Sequence, residues 1–355
     1  MKIVQMLNVL DYGDGVSKDA INFDRLFKSF GFESIIYTAG TDSRVASKRN
    51  DISEMKLNSD DILIHHFYGK SELWPYLLDA PCKKVMRYHN ITPGAFFSDI
   101  PQFEEFCDIG LQQLEQYKNY YDYYLCVSEF NKQGLIDAGV EKHIDVLPTL
   151  INFSNLDQIP QSREGVNNPV VFLFIGRIAP NKRHADIIDI FDYYCKKING
   201  NSMLLFPGNH KDYNTYYHSL TEKVKRLGLS KHIVFMGKVS DEMIRKVYSE
   251  ASIFICMSEH EGFCNPLLES MYCGIPTIAY DAGAIADTMG DAGVLVYDKD
   301  PEQLAKLCHL IMVDQELHDI IVKKQKSWVT QFSEENIRSQ LKKFVIKWTG
   351  APING

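Results

Sequence analysis

Twelve short runs with apolar centres constrain this chain more than any other feature. The first six lie at 2–7 (KIVQML), 33–38, 61–66, 83–89, 123–128 and 144–148. A polar stretch with two prolines follows at 155–169, NLDQIPQSREGVNNP, and six more runs begin at 170–175 (VVFLFI), 202–208, 232–237, 252–258, 276–280 and 293–297. A strand with one wet face alternates apolar and polar residues, whereas an unbroken run is covered on both faces. Amphipathic helical stretches separate the runs, so each series predicts β-α-β units and a doubly wound parallel sheet. The sequence therefore predicts an α/β chain with two Rossmann-like domains and a linker at 155–169.

At 355 residues the chain has room for two cores. The expected bounds are 1–165 and 166–327, followed by a C-terminal helical segment at 328–355. In that tail Ser333 and Glu335 act as start signals, and Ile337, Leu341, Phe344 and Ile346 supply the apolar spacing. Ligands of doubly wound sheets bind beyond the carboxyl ends of the strands, which is where site residues are sought.

Several classes of protein are disfavoured. No run of 18 apolar residues is long enough to span a bilayer, and MKIVQMLNVLDYGDG reads as a first strand instead of a leader, so a cytoplasmic location is expected. The eight cysteines are scattered without a C-x-x-C pair, which predicts reduced core thiols and no metal site. Net charge is −8, and residues 1–165 hold 16 Lys and Arg against 24 Asp and Glu. An acidic chain without a basic cluster is a poor partner for nucleic acid. It also lacks a strong patch for anionic lipid, so peripheral contact with the inner membrane face would need local patches or an acceptor held there.

The densest cluster of chemistry is SEHEGFCNPLLESMYCG at 258–274. Pro266 suits a first helical turn and Asn265 a cap, which predicts a helix from Pro266 to about Cys273 closed by Gly274. Glu261 then lies in the preceding loop and Glu269 one turn inside the helix. The N–H groups of Leu267 and Leu268 between them offer a seat for phosphate. Gly176 and Arg177 follow the run 170–175 directly, with Lys182 and Arg183 close behind, so cations also gather at a strand end. Asp11, Gly13, Gly15 and Ser17 open the first helix in a loop that would allow an anion close to the backbone. Glu259 and His260 compete with Glu261, Arg183 competes with Lys182, and His65 and His66 stand beside His89 as alternatives. The run Tyr117–Tyr124 reads first as a packed helix end and strand start.

These residues resemble the retaining nucleotide-sugar glycosyltransferases of family 4, whose GT-B architecture pairs two facing Rossmann-like domains with a C-terminal helix crossing back toward the first. The resemblance rests on E-x7-E, here Glu261 to Glu269 within EGFCNPLLE, on Gly176, Arg177 and Lys182, and on YHNITP at 88–93, which holds His89. It implies that Arg177 and Lys182 hold a donor diphosphate and stabilise the leaving charge without a metal. Glu269 would meet the ribose hydroxyls and Glu261 the donor sugar. The N–H groups of Gly262, Phe263 and Cys264 would orient further hydroxyls. The base would pack near Gly237, Lys238 and Val239, Gly15 would touch the phosphates, and His89 would contact the sugar or the acceptor side.

The resemblance further implies transfer of a hexose, mannose foremost, from a GDP- or UDP-linked donor to a glycan or lipid-linked acceptor in O-antigen, capsule or other surface polysaccharide assembly. No cofactor is expected beside the donor. The first domain would serve the acceptor and the second the nucleotide sugar. Rival readings are a nucleotide-sugar epimerase of the same architecture and a non-catalytic sugar-nucleotide-binding subunit.

Overall fold

A computed structural model describes residues 1–157 and 169–350. The chain divides into two units, Met1–Ala95 with Gln102–Leu150 and Phe332–Gly355, and Phe96–Pro101 with Ile151–Gln331. The expected boundary between 165 and 166, with most of the expected linker, lies outside the described residues.

Among the described residues the first unit carries a parallel sheet of seven strands, β1 (Lys2–Leu10), β2 (Glu33–Thr41), β3 (Asn50–Asp51), β4 (Ile62–Phe67), β5 (Lys83–Tyr88), β6 (Tyr123–Cys126) and β7 (Ile144–Val146), ordered β3-β2-β1-β4-β5-β6-β7. The second carries six, β8 (Val170–Leu173), β9 (Ser202–Pro207), β10 (Ile233–Gly237), β11 (Ile253–Cys256), β12 (Thr277–Tyr280) and β13 (Val294–Val296), ordered β10-β9-β8-β11-β12-β13. Every apolar run of the sequence becomes a strand, and every pairing is parallel. In each sheet the order reverses beside the first strand of the series, the position at which doubly wound sheets open a crevice.

The unit bounds depart from expectation in three places. Residues 151–157 count with the second unit, where Phe153 stacks on Tyr272 with ring centres 4.5 Å apart. Phe96–Pro101 also belongs there, with Phe97 against Tyr213 at 5.9 Å. The return to the first unit falls at Phe332, not at residue 328.

The final helix, Glu334–Thr349, is capped by Ser333, whose hydroxyl accepts from the Asn336 N–H at 3.4 Å. It contributes Ile337, Leu341, Val345 and Trp348 to the first unit's core beside Ile3, Phe23, Ile64 and Val85. Ile346 is exposed and Phe344 only partly buried, which corrects the expected face. Steps of four, four and three residues keep one side of a helix in register, and Val345 and Trp348 lie on that side. Most of the tyrosine run is packing: Tyr117 stacks on Trp74 at 4.2 Å, and Tyr121 and Tyr124 are buried, while Tyr120 is exposed.

Candidate active site

In the second unit, parallel strands bring the loops after β8, β9, β10, β11 and β12 to one end of the sheet. Gly176 and Arg177 follow β8, and Gly208, after β9, presses against them. A Cβ on Gly208 would lie 1.7 Å from the Gly176 carbonyl oxygen, so only glycine allows this approach. Arg177 is exposed, with its guanidinium 3.4 Å from the Tyr213 hydroxyl. Gly237 ends β10 at φ +66°, its carbonyl accepting from the Gly208 N–H at 2.9 Å, and Val239 follows half-buried.

Lys182 reaches the loop after β11, where its Nζ lies 2.5 Å from Glu261 Oε2 and both side chains are largely buried. The contact separates the sequence alternatives. Arg183 adopts a left-handed backbone (φ +54°) and pairs with Asp186 at 3.0 Å and Glu259 at 3.3 Å. Glu259 is also held by Lys299 at 2.7 Å. Arg183 and Glu259 thus form a separate ion cluster, while Lys182 and Glu261 pair with each other. Burial and the neighbouring Lys182 push His260 down to about 4, so its ring is neutral near pH 7.

The helix after this loop differs from its expected form. It runs Asn265–Tyr272, and the capping position is Cys264, not Asn265. Cys264 takes φ +73°, a conformation that L-residues other than asparagine rarely adopt, and it makes no side-chain cap bond. The Leu267 N–H turns back to the Cys264 carbonyl at 3.1 Å, so it is not the open phosphate seat expected from the sequence. Leu267 and Leu268 bury their side chains completely. At the far end Gly274 closes the helix at φ +68°. Glu269 Oε2 accepts from the Tyr248 hydroxyl at 2.7 Å. Burial, reinforced by Glu269, pushes that phenol well up, which keeps it a donor.

Sequence reasoning missed several supports. Gly283, after β12, sits at φ +59° with its would-be Cβ 2.8 Å from the Glu261 backbone, and the Ala284 N–H donates to the Glu261 carbonyl at 3.0 Å. The Thr288 hydroxyl donates to the Phe263 carbonyl. These bonds fix the Glu261–Cys264 loop, including Gly262. The cysteines, scattered in sequence, are not all remote in space: Cys256 and Cys264 sulfurs and a Glu261 oxygen lie within 4.8 Å of one another. Hydrogen bonding to Cys256, then burial, pushes the Cys264 thiol up.

The first unit holds the other two expected residues at the carboxyl end of its own sheet. Gly15 begins the helix Gly15–Ser29, capped by Asp14, whose carboxylate accepts from the Ser17 N–H at 2.9 Å. A Cβ on Gly15 would meet nothing within 4 Å, so packing in its own unit does not demand glycine there. His89 follows β5, its Nε2 2.9 Å from His66 Nδ1 and 3.8 Å from Asp19. Asp19 is itself bound to Arg87, whose Nε donates at 2.8 Å and Nη2 at 3.2 Å in a fully buried pair. Arg87 Nη1 also donates to the carbonyls of Cys126 and Leu147. Burial, His66 and Arg87 together hold His89 well below the ordinary histidine value. Asn90 next to it takes φ +75°, with its side chain bonded to Asn131 at 2.7 Å.

Residues 157–328 match the profile of the glycosyl transferases group 1 family. The second domain belongs to the group 1 glycosyl transferases. Within that domain lie Gly176, Arg177, Lys182, Gly237, Val239 and the whole Glu261–Glu269 segment. The chain is 26% identical over 168 residues to an O-antigen chain mannosyltransferase B of Escherichia coli, covering 47% of this chain and 43% of that protein. It is 26% identical over 207 residues, 58% of this chain and 55% of the relative, to a Campylobacter jejuni GalNAc-alpha-(1->4)-GalNAc-alpha-(1->3)-diNAcBac-PP-undecaprenol alpha-1,4-N-acetyl-D-galactosaminyltransferase. The chain thus spans about half the length of these curated relatives. Among solved structures it superposes on Anabaena HepE in complex with UDP and glucose with a TM-score of 0.75 at 16% identity, over 97% of this chain and 99% of that one. The group 1 domain and the sheet that precedes it therefore make up a GT-B fold. Among the described residues no helix is long and apolar enough to cross a membrane.

Proposed function

We propose that this protein is a retaining, metal-independent glycosyltransferase that moves a hexose, mannose foremost, from a GDP- or UDP-linked donor to a glycan or lipid-linked acceptor in surface polysaccharide assembly. The observation that carries this reading is the Lys182–Glu261 pair at the strand end that also presents Arg177, inside a group 1 glycosyl transferase domain. The relatives named above support polysaccharide assembly and, in one case, mannose.

In this reading Arg177 and Lys182 neutralise the diphosphate as the glycosidic bond breaks, which stabilises charge where it develops. Lys182 already balances the buried Glu261 carboxylate, so an incoming diphosphate shares that cation. Glu261 is left facing the donor sugar, with the N–H groups of Gly262, Phe263 and Cys264 beside it. Glu269 takes the ribose hydroxyls while Tyr248 holds its second oxygen. With Leu267 N–H engaged, the side-chain cations and not the helix end carry most of the phosphate charge, and the base packs by Gly237 and Val239. In the first unit, Gly15 and His89 act at their own strand ends, in the roles that the resemblance implies. The protein works in the cytoplasm, at or near the inner membrane face where a lipid-linked acceptor is presented, and needs no cofactor beyond the donor.

A thermal-shift panel of GDP- and UDP-sugars tests the donor, since bound ligand raises apparent stability. One donor class is expected to stabilise the protein, and Arg177→Ala and Lys182→Ala to weaken it about tenfold or more by calorimetry. Unchanged affinity in both variants refutes the assignment. Transfer in the presence of EDTA, with an axial or equatorial product anomer matching the donor's by NMR, tests metal independence and retention. A new epimer formed without acceptor would instead mark an epimerase.

A further inference from the structure

A chain of hydrogen bonds behind His89 has only one consistent direction. Gln5, on β1 and fully buried, bonds through Nε2 to the Ala20 carbonyl at 3.0 Å. A carbonyl only accepts, so this bond fixes the amide and leaves Oε1 as an acceptor. Oε1 lies 2.9 Å from His66 Nε2, which must therefore carry the proton. Burial, with Arg87 and His65, holds His66 well below the ordinary histidine value, so the ring is neutral and its Nδ1 is a bare lone pair. His66 Nδ1 lies 2.9 Å from His89 Nε2, which must then donate. The two ring centres are 5.2 Å apart with planes within 20°, so the rings meet edge to edge and the bond lies in plane. The Asp19 carboxylate, 3.8 Å from the same nitrogen, favours a proton there. His89, facing Arg87, Asp19 and His66, is left neutral with an unprotonated Nδ1, to which no residue of the protein donates among the described residues.

We propose that Gln5 and His66 are positioning residues that lock His89 in its Nε2-protonated tautomer, so that Nδ1 accepts a hydrogen bond from a hydroxyl of the sugar substrate. The substrate class rests on the transferase reading; the tautomer does not. A locked acceptor discriminates in favour of a hydroxyl at the contacted carbon and against a deoxy or O-methylated sugar there, because neither offers a proton. The left-handed Asn90, tied to Asn131, holds the loop that carries this ring. Positions with such backbone strain persist where the surroundings over-determine them, and they cluster at binding sites.

Selective nitrogen-15 labelling of histidine, with the His89 signals assigned by their loss in His89→Gln, reads the tautomer in the free protein near pH 7.5. The expected spectrum has Nε2 protonated and Nδ1 bare; a protonated Nδ1 overturns the proposal whether or not the protein is a transferase. Titration with GDP-mannose and UDP-glucose is expected to shift Nδ1 for whichever donor binds. A donor that stabilises the protein yet leaves Nδ1 unmoved overturns the substrate contact. If no sugar of the GDP- and UDP-linked panel binds, the transferase reading fails and the free-protein spectrum alone judges the relay. Gln5→Leu strands the His66 N–H in a buried site, and moving that proton to Nδ1 reverses the relay. Expected are a switched His89 tautomer and a kcat about tenfold lower with donor KM within about twofold. A folded Gln5→Leu protein with the original tautomer overturns the role of Gln5.

Discussion

Lys182 and Glu261 show how one contact serves both stability and chemistry. With both side chains largely buried, removing the amine leaves a carboxylate stranded, and Lys182→Ala is expected to cost about 3 kcal/mol in urea denaturation. Adding Glu261→Gln to that variant is expected to restore part of the loss, a coupling that a double-mutant cycle reads directly. Cys264 is the second informative residue. Its φ of +73° strains any side chain, so Cys264→Gly is expected to hold or raise the melting temperature, and Cys264→Val to lower stability by about 1–2 kcal/mol. Glu261, Glu269, Arg177 and Lys182 were legible because they sit at fixed spacing around strand ends. Tyr248 was not, because its partner Glu269 lies 21 positions away and nothing local marks the bond. Gln5 left a faint trace as the one polar residue inside KIVQML after its leading Lys2, yet a polar residue in a strand usually faces water.

At the scale of elements, strands were readable because coverage on both faces leaves few polar positions. β3 escaped because it consists of Asn50 and Asp51 at the sheet edge, exposed and without an apolar signature. The helix start after Glu261 was misplaced by one residue because cap preference favours asparagine, whereas here the backbone turns at Cys264 and no side-chain cap forms. Gly283 was silent for a similar reason, since close approach by a distant loop leaves no local pattern. Gly283→Ala forces the Glu261 loop aside, and kcat is expected to fall more than tenfold while the fold persists. In the first unit, the buried Arg87–Asp19 pair ties the helix Gly15–Ser29 to β5. Asp19→Ala is expected to destabilise by about 3–5 kcal/mol in denaturant titration, because the guanidinium loses its counter-charge.

Across the whole molecule, buried histidines set the response to acid. Burial pushes His65 and His184 down to about 3 and His260 to about 4, from an ordinary value of 6.5, and His66 and His89 well below that value. Below pH 6.5 the unfolded chain takes up protons that the folded chain refuses. Their contribution is thus complete above 6.5 and is lost as pH falls toward 3–4, with each proton worth about 1.4 kcal/mol per pH unit. The melting temperature is expected to drop between pH 6.5 and 5, before ordinary carboxylates titrate; a flat profile there would contradict the burial of these rings. The helix Glu334–Thr349 has a consequence for biosynthesis. Because Ile337, Leu341, Val345 and Trp348 complete a core begun by Ile3, the ribosome releases the second unit's sequence before the first can close. A nascent chain stalled ahead of Glu334 would leave that greasy face uncovered, and chaperone holdases would find their target there.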